Sequence, residues 1–120
     1  MGTLYNSVVL DHFQHPRNAG DLPDATAQIE VSNPACGDVM RLAARFENGR
    51  AIEARFKTRG CVASIAAGSW LTEWMRGKSA AELRALAPAE VAQGLGGLPP
   101  ASAHAADLVC DALRALLAGL

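Results

Sequence analysis

The sequence predicts an α+β fold: a three-stranded antiparallel sheet, with an N-terminal helix and several C-terminal helices packed against it. Three observations carry this. Residues alternate between apolar and polar along three stretches between positions 27 and 58. Two of those stretches meet at Asn48-Gly49, and beyond Gly60 the apolar spacing changes to a helical one that lasts to the end of the chain. Strands followed by a run of helices is the pattern of a segregated rather than an alternating fold.

Each element has its own local reason. Leu4, Val8, Val9 and Phe13 have helical spacing, and Pro16 stops that first helix after His15. Asn18, Gly20, Asp21 and Pro23 give residues 17–24 the composition of a loop, so this stretch is predicted as a plain connector. Ala27, Ile29 and Val31 alternate with Gln28, Glu30 and Ser32, and Met40, Leu42, Ala44 and Phe46 form the second apolar face. Asn-Gly favours a tight hairpin turn, after which Ile52, Ala54, Phe56 and Thr58 face one way and Glu53, Arg55, Lys57 and Arg59 the other. The basic members of that second set are read as the solvated face. Residues 62–75 form a helix of mostly small and apolar residues. Ser79 and Glu82 make a capping box for a short helix ending before Pro88, and another runs to about Gln93. The break at 94–100 precedes a closing helix over 101–117, striped by Val109, Ala112, Leu113, Leu116 and Leu117.

Composition bounds the function classes. A chain of 120 residues without repeat, linker or low-complexity segment is read as one domain, 1–120. Half the residues are hydrophobic and 5% aromatic, so the core is built from Ala, Leu, Val and Ile. Eleven basic against twelve acidic side chains leave a net charge of −1, which removes the broad attraction that nucleic-acid binding needs. No uninterrupted apolar stretch approaches the roughly twenty residues of a membrane span, and the N-terminus has no basic region followed by an apolar run. Three widely separated cysteines do not make a disulfide framework; they are read as reduced thiols in a cytoplasmic setting, available to metal.

The chemistry is concentrated in the loops that flank the second and third strands. Cys36 stands in Asn33-Pro34-Ala35-Cys36-Gly37-Asp38 before one strand, and Cys61 follows Arg59-Gly60 after the other. Antiparallel pairing through Asn48-Gly49 brings them to the same end of the hairpin. Asp38, two residues past Cys36, shares its side of an extended backbone. His104 lies near the start of the closing helix, just after Leu98-Pro99-Pro100. Two thiolates, a carboxylate and an imidazole suit tetrahedral zinc or ferrous iron. Taken singly, each residue has a plainer reading: a core thiol, a carboxylate on loop amides, a histidine at a helix start. Cys110 is set apart, because six residues of helix place it about 9 Å and some 120° from His104, on the apolar stripe.

Several separated motifs resemble the IscU/NifU-type scaffold proteins of iron-sulfur cluster assembly. They are Asp11-His12-Phe13 with Pro16-Arg17-Asn18, then Pro34-Ala35-Cys36-Gly37-Asp38-Val39-Met40, Phe56-Lys57-Thr58-Arg59-Gly60-Cys61, Thr72-Glu73-Trp74, Gly77-Lys78-Ser79 and Leu98-Pro99-Pro100. The resemblance implies a scaffold that holds iron or a nascent [2Fe-2S] cluster at Cys36, Cys61 and His104, with Asp38 keeping it labile. It also implies sulfur from a cysteine desulfurase, transfer to acceptor apoproteins, and in some members help from chaperones. Two positions depart from the family pattern. Ala105 stands where a cysteine usually follows the histidine, and Ala101-Ser102 stands where chaperone-recruiting members carry Val-Lys. The alternative is a zinc-binding homologue that regulates or interacts without assembling clusters. An enzyme using Cys61 as nucleophile and His104 as base lacks any accompanying substrate motif and ranks below both.

Overall fold

The computed structural model describes residues 5–34 and 37–120. Helix α1 spans Ser7–Gln14, strands β1, β2 and β3 span Ala27–Ser32, Val39–Glu47 and Arg50–Arg59, and helices α2, α3, α4 and α5 span Val62–Met75, Ala80–Arg84, Pro88–Gly94 and His104–Ala118. The sheet is antiparallel in the order β1-β2-β3, as predicted.

Asn6 caps α1, its side-chain oxygen accepting from Val9 N at 2.9 Å. Val9 and His12, three residues apart, form the buried face of α1. Val8 is exposed, contrary to the predicted stripe, because it lies about 100° around the helix from Val9. The Asn48-Gly49 turn has positive φ at both central residues, 53° and 76°, the geometry that matches the twist of two paired strands. Phe46 pairs with Ala51 while Arg45 pairs with Glu53, so Ile52 is an extra residue in β3. This bulge resets the alternation: Ala51 is fully buried and Ile52 is only half-buried, correcting the predicted apolar face at its first position.

The connector is more than a loop. Gly20 N donates to Phe56 O at 2.9 Å and Phe56 N to Asn18 O at 3.0 Å, so its backbone lies along the outer edge of β3. Farther along that edge, Gly77 N donates to Ala51 O and Ala51 N to Lys78 O, at 2.6 and 2.9 Å. The edge is thereby shielded from pairing with another chain.

Met40, Leu42, Ala44, Ala54 and Phe56 face a core completed by α2 and α5. Small residues on α2 let it sit close to the sheet: a Cβ on Gly68 would lie 2.5 Å from the Phe56 ring. The capping box at Ser79 and Glu82 forms in both directions, and Pro88 opens α4. The closing helix begins later than predicted. Residues Pro100–Ser102 form a tighter turn, with Ser102 N donating to Pro99 O and Ala103 N to Pro100 O, and His104 becomes the first residue of α5.

Candidate metal centre

The register Val39↔Arg59 sets the site, because it places Asp38 opposite Gly60 at one end of the hairpin. Asp38 is buried, and the loop before it is closed by Gly37 N donating to Asn33 O and Asn33 N to Asp38 O, at 2.7 and 2.8 Å. Gly37 has a φ of 76°, which a residue with a Cβ adopts only under strain. Gly60 is required for a different reason: a Cβ there would lie 2.5 Å from both Cγ and Oδ1 of Asp38.

Cys61 is the N-cap of α2, yet its side chain makes no cap hydrogen bond to the helix backbone. The sulfur is free to face the loop instead. Its Sγ lies 3.5 Å from Asp38 Oδ2 and 3.6 Å from His104 Nε2. His104 Nε2 is 3.4 Å from the same carboxylate oxygen. The ligating atoms of Asp38, Cys61 and His104 therefore all lie within 4.8 Å of one another. Cys36, the remaining predicted ligand, lies outside the described residues.

Sequence reasoning missed Ser64. It is fully buried one turn into α2, donates a hydrogen bond to Asp38 Oδ2, and has its Oγ 3.3 Å from Cys61 Sγ. The available signal was its spacing of three from Cys61, which puts the two on one helix face. Cys110 is buried in the apolar stripe, away from this group, as predicted.

A sulfur, a carboxylate oxygen and an imidazole nitrogen at these separations form a mixed donor set for a borderline or harder transition-metal ion. The chain that carries this site is similar to known proteins. A profile described as the NifU-like N terminal domain matches residues 4–119. The chain belongs to that family. The iron-sulfur cluster assembly scaffold protein IscU of Haemophilus influenzae is 41% identical over 118 residues, covering 95% of this chain and 93% of the relative. The iron-sulfur cluster assembly scaffold protein IscU 1 of Archaeoglobus fulgidus is 41% identical over 111 residues, covering 92% of this chain and 72% of the relative. The fold is shared more widely: a crystal structure titled as a putative iron-sulfur cluster assembly scaffold for the SUF system from Fervidobacterium islandicum superposes with a TM-score of 0.80 at 19% identity, covering 95% of this chain and 96% of that one.

Within this NifU-like chain, several of the motifs behind the resemblance fasten elements together rather than line the site. His12 Nδ1 lies 2.7 Å from Ser69 Oγ, which also accepts from Arg17 N at 2.9 Å. Arg17 in turn pairs with Asp11 at 2.6 Å. These bonds hold α1 and the connector on α2. Trp74 stacks on Trp70 at 5.8 Å between centroids, and Lys78 Nζ sits 4.6 Å from the Trp74 centroid. The basic face of β3 is partly neutralised, by Asp21 beside Lys57 at 3.1 Å and Glu53 beside Arg55 at 2.7 Å. The two departures are also visible. Ala105 is fully buried and offers no donor atom, and Ser102 is turned inward, 3.0 Å from Tyr5 Oη. Among the described residues, no helix is long and apolar enough to cross a membrane.

Proposed function

We propose that this chain is a scaffold on which iron or a nascent [2Fe-2S] cluster is assembled and from which it passes to acceptor apoproteins, with Cys36, Asp38, Cys61 and His104 holding the cargo. One observation carries the reading: a thiol, a carboxylate and an imidazole from three separate elements lie within 4.8 Å of one another in a member of the NifU-like family. Cargo, rather than a resident cofactor, fits this donor set. Stable clusters are mostly held by four thiolates, and here a carboxylate and an imidazole stand beside Cys61 while the position after His104 has no donor. Such a mixed set favours release.

Cys61 is half-buried, so a sulfur donor can approach it from outside. A cysteine desulfurase is the partner on that side, and apoproteins with free thiolates are the partners on the other. The inward Ser102 argues against the chaperone-recruiting mode of the family. Residues 1–120 act as one scaffold unit in the cytoplasm, a carrier rather than a catalyst, where thiols stay reduced.

Anaerobic reconstitution with ferrous iron, cysteine and a desulfurase tests this directly. We expect sulfur-to-iron charge-transfer absorption that disappears when an apoferredoxin is added and reappears on the acceptor. A chain that gives no such absorption and binds only zinc would overturn the reading in favour of a zinc-binding homologue.

A further inference from the structure

Ser64 has no exposed surface, and its hydroxyl is committed to the site rather than to its own helix. A hydroxyl carries one hydrogen, and an ionised carboxylate can only accept, so the Ser64 hydrogen goes to Asp38 Oδ2. Cys61 Sγ at 3.5 Å and His104 Nε2 at 3.4 Å converge on that same oxygen. One atom of Asp38 is thus the meeting point of three groups, and Ser64 is the one whose neutral hydroxyl is a poorer transition-metal donor than a thiolate or an imidazole.

We propose that Ser64 is a positioning residue for the metal cargo: its hydroxyl holds Asp38 Oδ2 between Cys61 and His104, and so sets how firmly the cargo is kept. The inference rests on the scaffold reading. A metal that binds here would take Cys61 Sγ, His104 Nε2 and Asp38 Oδ2 as donor atoms. It need not displace the Ser64 hydrogen, because a carboxylate oxygen has a second lone pair. The hydroxyl is carried by α2, while the carboxylate comes from the residue just before β2. A charge-assisted hydrogen bond in a buried setting holds it in the orientation the ion needs.

Cobalt(II) titration of the full chain, read by d–d and thiolate charge-transfer absorption, tests this. Ser64→Ala is expected to lose about 10- to 100-fold in apparent cobalt affinity and to change the shape of the d–d envelope, as loss of an outer contact to a ligand does. In an Asp38→Ala background the same change is expected to alter affinity by less than about twofold, since a residue that acts through another has nothing left to act on. Circular dichroism and the melting midpoint establish that each variant is folded. Equal affinities for Ser64→Ala and the unaltered chain would overturn the proposal, and so would the same loss in both backgrounds. If the unaltered chain took up no cobalt and formed no cluster, the scaffold reading would fall and this inference with it. Cobalt bound equally well without the hydroxyl would sink this inference alone.

Discussion

Cys61 and Cys110 carry the same thiol in opposite surroundings. Cys61 is half-buried, 3.6 Å from an imidazole nitrogen and beside a carboxylate. Cys110 is 2% exposed, and burial pushes its thiol up to about 11, which keeps it protonated and unsuited to metal at neutral pH. In iron or cobalt titrations, Cys61→Ala is expected to lose more than about tenfold in affinity, while Cys110→Ala stays near the unaltered chain. Equal losses would mean that the third thiol has been misplaced. His12 poses a different question, because its environment acts on its charge. Burial is the largest influence and lowers its pKa, outweighing the opposite pull of Glu73 and Asp11. The folded state thus binds this proton less readily than the unfolded chain, whose histidines titrate near 6.5. The His12 contribution to stability is therefore complete above that pH and is lost as pH falls through it toward the lower folded value. Comparing urea midpoints from about pH 8 to about pH 5, His12→Gln should show a shallower decline than the unaltered chain; parallel curves would refute this. The placements of both cysteines, one at the hairpin end and one on the buried stripe of α5, were readable from spacing along the chain. Ser64 was not, because a serine in a helix of small residues looks the same whether it packs or donates.

The hairpin was legible because each of its signals is local: alternation, a turn dipeptide and matched arms. The bulge at Ile52 was not, since one extra residue leaves the apolar and polar letters almost in step. The connector over 17–24 is a loop, as its composition says, but its bonding to β3 was not legible because it runs through main-chain groups, which have no sequence signature. The late start of α5 reflects the tighter turn over Pro100–Ser102, where Ser102 N and Ala103 N bond back to the carbonyls of Pro99 and Pro100. The junction between β3 and α2 carries the closest fit at the site. There Gly60→Ala would drive a methyl into the Asp38 carboxylate, from an ideal separation of 2.5 Å. Either the carboxylate or the strand end must shift, and overpacking of this kind costs about 1–3 kcal/mol. We expect Gly60→Ala to lose metal uptake while keeping the secondary structure seen by far-ultraviolet circular dichroism. Retention of full affinity would show that the carboxylate position is not critical.

For the molecule as a whole, the candidate site joins parts that are distant in sequence. Asp38 precedes β2, Cys61 follows β3, and His104 opens α5, so an ion bound by all of them ties the hairpin end to the closing helix. Binding to the folded state alone stabilises it by mass action, about 2.7 kcal/mol at a free metal concentration a hundred times the dissociation constant. Thermal unfolding should accordingly shift upward with added cobalt or zinc in the unaltered chain and stay fixed in Cys61→Ala. A similar rise in that variant would place the bound metal elsewhere. The amino-acid sequence by itself determined the order of elements, the hairpin end at which Asp38 and Cys61 belong, and the family likeness, because periodicity, turn chemistry and short motifs all act within a few residues. Only the tertiary structure decided that His104 faces Cys61, that Ser64 donates to Asp38, and that a side chain at Gly60 would meet the Asp38 carboxylate. Those facts depend on how α2 and α5 dock against the sheet, and docking is set by the shapes of many distant side chains fitting together at once.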